Sequence, residues 1–236
     1  MTTPLVQFTG VVKSYGGSTP LRIESLSLQA GDRCILTGLD AMAAEMFMHV
    51  LTGAALPEAG RIDVFGRSTH DISTDTEWLD SLDRFGLVSN RAVLLDQSTV
   101  AQNLALPLTL SIDPMADDIR AAVVAMAREV ALAPERLDAP AASLTPAERV
   151  RVHLARALAT SPAVLLLEHP TATAPEDGAA FGAKLREVSA SRQLTWLAIS
   201  DDPAFHRASG GQVLAIDTAS GAARARGGFW QRWFGR

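Results

Sequence analysis

SLTPAERVRVHLARALATSPAVLLLEHPTATAP, residues 143–175, sets a capped amphipathic helix directly before an apolar strand. Thr145-x-x-Glu148 has the spacing of a capping box. Pro146 falls at the first helical position, where its missing N–H costs nothing. AVLLLEH, residues 163–169, is apolar without alternation until its end, the pattern of a strand covered on both faces. LTWLAIS at 194–200 repeats that pattern, with a helix near 178–191 between the two, and QVLAID follows at 212–217. Buried strands alternating with helices imply an α/β fold built on a mainly parallel sheet.

Outward from this stretch, LVQFTGVV (5–12), IESLSLQ (23–29) and RCILTG (33–38) read as strands, with Gly31-Asp32 as a turn. Residues 40–52 read as a helix, and GRIDVFG (60–66) and FGLVS (85–89) as further short strands. The middle differs: STVAQNLALPLTL (98–110) looks helical as far as Pro107, and ADDIRAAVVAMAREVAL (116–132) is amphipathic with acids in its first turn. We therefore expect one domain over 1–236: an α/β core from 1–91 and 161–222, a helical subdomain at 92–160, and a tail at 223–236.

The bulk properties narrow the function. The 236 residues suffice for a sizeable core, and a net charge of −5 argues against a nucleic-acid partner. The single cysteine, Cys34, excludes an intrachain disulfide and reads as a small buried hydrophobe. No apolar run is long enough to span a bilayer, and the N-terminus lacks a basic-then-apolar signal pattern. The histidines show no metal-ligand spacing.

Residues 143–175 resemble the signature-to-Walker-B stretch of ATP-binding cassette (ABC) transporter ATPases, in which L-S-G-G-E/Q, R-V-x-x-A-R-A-L and an apolar strand ending D-E-P-T follow one another. RVHLARALATSPAVLLLEHPTA carries the match. TGLDAMAAEMF stands where the phosphate loop G-x-x-G-x-G-K-S/T would stand. GLVSNRAVLLDQSTVAQNLALPL looks like the glutamine loop and its continuation, and LAISDD like the strand bearing the switch histidine. The resemblance covers residues 5–218. It implies a P-loop NTPase-like fold, with an N-terminal antiparallel β part and an inserted helical subdomain.

At the catalytic positions the chain departs from the family. Gly38 keeps the first loop glycine, but Ala41 and Ala43 replace the others, and alanine tolerates positive φ poorly. Asp40 can instead cap a helix that starts early. The loop lysine becomes Ala44 and the magnesium-binding Ser/Thr becomes Glu45. A carboxylate ~4 Å from a phosphate charge costs on the order of 4 kcal/mol at an effective dielectric of ~20. Glu168 occupies the magnesium-aspartate position and is a weak metal position. His169 stands at the general-base position, where it is more often a satisfied strand-end histidine than a base. Ser200 replaces the switch histidine, Asn90 the loop glutamine, and Pro175 the aspartate after Walker B. Thr145 keeps the helix cap, while Pro146 and Ala147 replace the signature glycines. Tyr15 is placed either to stack on adenine or simply to pack. SGGQ at 209–212 leads into a strand and reads as a turn.

These departures imply a degenerate nucleotide site with no confident catalytic residue. No cofactor is expected to be held tightly, though weak ATP and magnesium binding is allowed. The resemblance further implies a subunit on the cytoplasmic face of the membrane, docked on a transmembrane permease and paired as a homo- or heterodimer with another ABC ATPase domain. Two other readings stay open: an active ATPase using Glu168, His169 and Tyr15, and a non-transport interaction module on the same scaffold. The tail GAARARGGFWQRWFGR joins Phe229, Trp230, Trp233 and Phe234 to Arg224, Arg226, Arg232 and Arg236. That chemistry suits a membrane surface, a partner subunit or the tail's own domain.

Overall fold

The computed structural model describes residues 3–16 and 19–225. Two sheets organise it. The first is antiparallel and four-stranded: β1 (Val6–Lys13) and β2 (Leu21–Leu28) form a hairpin, and β4 (Ala59–Val64) and β5 (Arg67–Ser68) extend it in the order β2-β1-β4-β5. The second has six strands. β9 (Gln212–Ile216), β3 (Arg33–Thr37), β8 (Trp196–Ile199), β7 (Val164–Glu168) and β6 (Phe85–Ser89) run parallel in that spatial order. β10 (Ala223–Ala225) closes the β9 edge antiparallel.

Period-two alternation explains how one sheet serves two cores. Cys34, Leu36, Val164, Leu166, Leu197 and Ile199 face α1 (Ala41–Leu51) and the antiparallel sheet. Ile35, Leu165, Leu167, Trp196 and Ala198 face the opposite side. There they meet α3 (Val100–Ala105), α4 (Asp117–Glu129), α5 (Pro146–Ala159), α6 (Gly178–Arg192) and α7 (Pro203–Ser209) in a single cluster. The helices of the 92–160 block thus share their core with the sheet. Cys34 is fully buried, and burial, with Asp32 adding, pushes its thiol well above the ordinary range.

The capping box of α5 forms as its spacing dictates: the Thr145 hydroxyl accepts from the Glu148 amide and Glu148 reaches back to the Thr145 amide at 2.9 Å. Gly210, left-handed at φ 71°, ends α7 ahead of β9, so SGGQ is a helix stop and a turn.

Several elements lie outside the sequence reading, β5 among them. α2 (Asp75–Leu82) has no fully buried residue, and its short apolar face is limited to Trp78, Leu79 and Leu82. α7 is only seven residues long. Residues 223–225, read from sequence as the start of the tail, form β10, whose backbone pairs with β9. The aromatic and arginine cluster from Arg226 onward lies outside the described residues. Among the described residues, no helix is long and apolar enough to cross a membrane.

Candidate functional site

The C-terminal ends of β3, β7 and β8 converge where the phosphate loop would lie. β3 enters the turn at Gly38, whose φ of 92° no L residue adopts readily; a Cβ there would sit 2.9 Å from the Ile216 carbonyl oxygen. From Thr37 to Glu45, Gly38 is the single residue with positive φ. α1 begins at Ala41, with Asp40 as its cap: the Ala43 amide donates to Asp40 Oδ1 at 2.8 Å and the Ala44 amide to the Asp40 carbonyl at 2.8 Å. The Gly38 amide donates to Asp201 Oδ1 at 3.0 Å, and the Thr37 hydroxyl donates to the same oxygen. Amides at 38, 43 and 44 therefore satisfy the protein's own oxygens. Ala44, at the lysine position, is fully buried.

Tyr15 packs beside this turn. Burial, with the Asp40 carboxylate adding, raises its phenol above the ordinary value. Tyr15, Pro20, Leu39 and Ala43 line a cavity of only about 10 Å³, room for about one water.

Glu45 and Glu168, from α1 and β7, share one cation. Arg91 Nε donates to Glu168 Oε1 at 2.9 Å, Nη1 pairs with Glu45, and Nη2 donates to the Ala41 carbonyl at 3.0 Å. The Ser89 hydroxyl donates to Glu168 Oε2 at 2.7 Å and accepts from the Arg91 amide at 3.1 Å. Burial alone would lower the Arg91 pKa, but Glu168 and Glu45 outweigh it and the net shift is upward. Sequence reasoning passed over Arg91. The available signal was two carboxylates assigned to one cleft with no cation assigned to meet them.

The other assigned positions divide. Asn90 Nδ2 donates to the His169 carbonyl at 3.3 Å. His169 has φ 41°, its amide donates to the Ile199 carbonyl at 2.8 Å, and its Nε2 is buried without a hydrogen-bond partner. Ser200 is buried and its hydroxyl accepts from the Asp202 amide at 3.2 Å, while its carbonyl meets His206 Nε2 at 2.8 Å. Its hydroxyl is thus spent on the turn into α7. Thr145 stands apart at the start of α5, engaged with Glu148, which Arg136 also pairs at 2.8 Å. Among the described residues there is no cluster of three or more His, Cys, Asp or Glu suited to a metal.

A groove crosses the exposed β6 edge. One cavity of about 250 Å³ lies between β6, Pro107 and His153, Arg156 and Ala157 of α5. A second of about 250 Å³ lies between Met48, His49 and Thr52 of α1, the end of β6, and Glu168. Leu87 and Ala92 line both, so the two adjoin. Leu87, Val93 and Leu95 are exposed at 43%, 76% and 44%. Arg156 Nη1 donates to the Val93 carbonyl at 2.9 Å and ties that loop to α5. Burial, with Arg156 and Arg149 adding, pushes His153 down to about 4.

Comparison with known proteins agrees with this architecture. The ABC transporter family model matches residues 21–172. The chain is 30% identical over 215 residues to the methionine import ATP-binding protein MetN of Brucella abortus (strain 2308), covering 91% of this chain and 58% of that protein. It is 27% identical over 208 residues to the lipoprotein-releasing system ATP-binding protein LolD of Saccharophagus degradans, covering 86% of this chain and 90% of that one. The chain therefore spans little more than half the length of MetN. A dimer of the ATP-binding cassette MJ0796, solved in a post-hydrolysis state with ADP and Pi, superposes with a TM-score of 0.77 at 19% identity, covering 95% of this chain and all of that one.

Proposed function

The chain belongs to the ABC transporter family, and from that premise we propose that it is a cassette subunit that docks on a transmembrane permease and serves transport by assembly or regulation, with little or no ATP hydrolysis. The observation that carries this reading is the first turn of α1, wound through the phosphate loop. Its amides are already bonded to Asp40, and the lysine position is a buried alanine. Residues 38–45 do not fit a tightly held triphosphate. Glu45, paired with Arg91, fills the position that the magnesium-binding Ser/Thr would take.

The docking half of the proposal rests on the groove over β6. It is mainly apolar, open and lined in both its parts by exposed Leu87 and Ala92, as an amphipathic partner helix requires. The names of MetN and LolD place those proteins in an import system and a releasing system. A permease partner and a position on the cytoplasmic membrane face are proposed here on that likeness, and pairing with a second cassette on the likeness to the MJ0796 dimer.

Titration of the purified chain with ATP, with and without magnesium, tests the first half. We expect no saturable binding below millimolar and no turnover above background. Micromolar affinity together with steady hydrolysis would overturn it. One observation favours a second reading, an ATPase with atypical residues: the unpartnered Nε2 of His169 at the end of β7. On that reading hydrolysis occurs and His169→Ala abolishes it.

A further inference from the structure

Arg91 spends its guanidinium in three directions at once. Nε goes to Glu168 on β7, Nη1 to Glu45 on α1, and Nη2 to the carbonyl that opens α1. Its own amide closes on Ser89, which in turn donates to Glu168. Glu168 is largely buried, its side chain 9% exposed, and among the described residues Arg91 is the one cation paired with it. Glu45 and Glu168 stand at the two positions that the family resemblance assigns to magnesium, and in this chain the same arginine engages both.

We propose that Arg91 is a tethered cation that closes the cleft between α1 and β7 in place of a bound metal, and that it thereby fixes the 89–95 loop that forms one wall of the groove. Arg91 is then a positioning residue. The loop is pinned at one end by Arg91 and, two residues on, by Arg156 on the Val93 carbonyl. A planar guanidinium with five donors can span three acceptors, which an ammonium cannot do in fixed geometry. The groove wall would thus hold its shape whether or not nucleotide is present. The tether stands on its own geometry; its relevance to transport rests on the docking reading above.

Manganese binding to the full chain, followed by electron paramagnetic resonance without nucleotide, tests the cation. Wild type should show only weak, nonspecific binding. Arg91→Ala frees the two carboxylates that meet its guanidinium, and should bind manganese at least ~10-fold tighter. Arg91→Ala with Glu168→Gln should lose that gain. Wild type binding as tightly as Arg91→Ala, or a folded Arg91→Ala that gains nothing, would overturn the proposal.

Amide exchange over 89–95 tests the positioning. It uses Arg91→Ala combined with Glu45→Gln, in which no repulsion between the freed carboxylates threatens folding. Exchange there should accelerate ~10-fold or more, with β3 and β8 unchanged, and in wild type it should ignore MgATP. Unaltered exchange in the variant, or wild-type protection that appears only with MgATP, would overturn it. Neither measurement involves a permease. The expected results alongside failed permease capture would remove the docking reading alone, and captured permease with unaltered exchange would remove the tether alone.

Discussion

At positions 41 and 43, one methyl group each decides between a loop of inward-facing amides and a turn of helix. Glycine accepts positive φ freely, whereas alanine resists it and gains about 1 kcal/mol over glycine in a helix. The chain takes the helical option from Ala41, and Asp40 seals it. Returning a lysine therefore should not return the site. Ala44→Lys with Glu45→Ser places an ammonium at a fully buried position. The expected outcome is a loss of about 2 kcal/mol or more in urea unfolding. Calorimetric titration should show no gain in ATP affinity, whereas a large gain would mean that the loop reopens easily. Gly38 is needed for its backbone alone, since its φ and its approach to Ile216 exclude a Cβ. Gly38→Ala should cost about 1–3 kcal/mol by the same unfolding measurement. The lost lysine and the gained carboxylate can be read one residue at a time. Arg91 cannot, because its partner Glu168 is 77 residues away and their meeting depends on β6 lying beside β7.

The second scale is the element, and α5 shows how much an element's own sequence settles. Its cap, its proline and its apolar face all lie within residues 145–159, and all form as the spacing requires. Thr145→Ala removes the cap and should cost about 1 kcal/mol of stability. The same helix carries a pH dependence through His153. Its folded pKa of about 4 lies below the ordinary 6.5, so the unfolded chain takes up a proton that the folded chain refuses. Stability should be flat above about pH 6.5 and fall as pH drops toward about 4, by up to about 3 kcal/mol. Urea midpoints at about pH 7.5 and about pH 5 check this, and His153→Leu should remove most of the difference. Elements that announce themselves less were lost to sequence reading for physical reasons. α2 has no fully buried residue, and β10 has three residues whose strand character comes from β9.

At the scale of the whole molecule, the alternation within β3, β7 and β8 builds two cores back to back. It leaves β6 as an uncovered edge between them. The groove across that edge depends on α1 from one side and α5 from the other, so it could be placed only once both layers were in position. Its exposed apolar side chains stabilise the isolated chain little and are costly to leave in water, as the docking reading proposed above requires. Leu87→Asp with Ala92→Asp, at the two exposed positions that line both cavities, should therefore change the unfolding free energy only modestly, within about 1 kcal/mol. On the docking reading, the same pair should abolish co-purification of a transmembrane permease subunit with this chain. Leu56→Asp supplies the comparison, since Leu56 is exposed at 46% yet lines neither cavity. Capture that survives the groove variant, or that is lost equally with Leu56→Asp, would place the docking surface elsewhere on the molecule. Capture lost with the groove variant alone would show that docking needs this apolar wall.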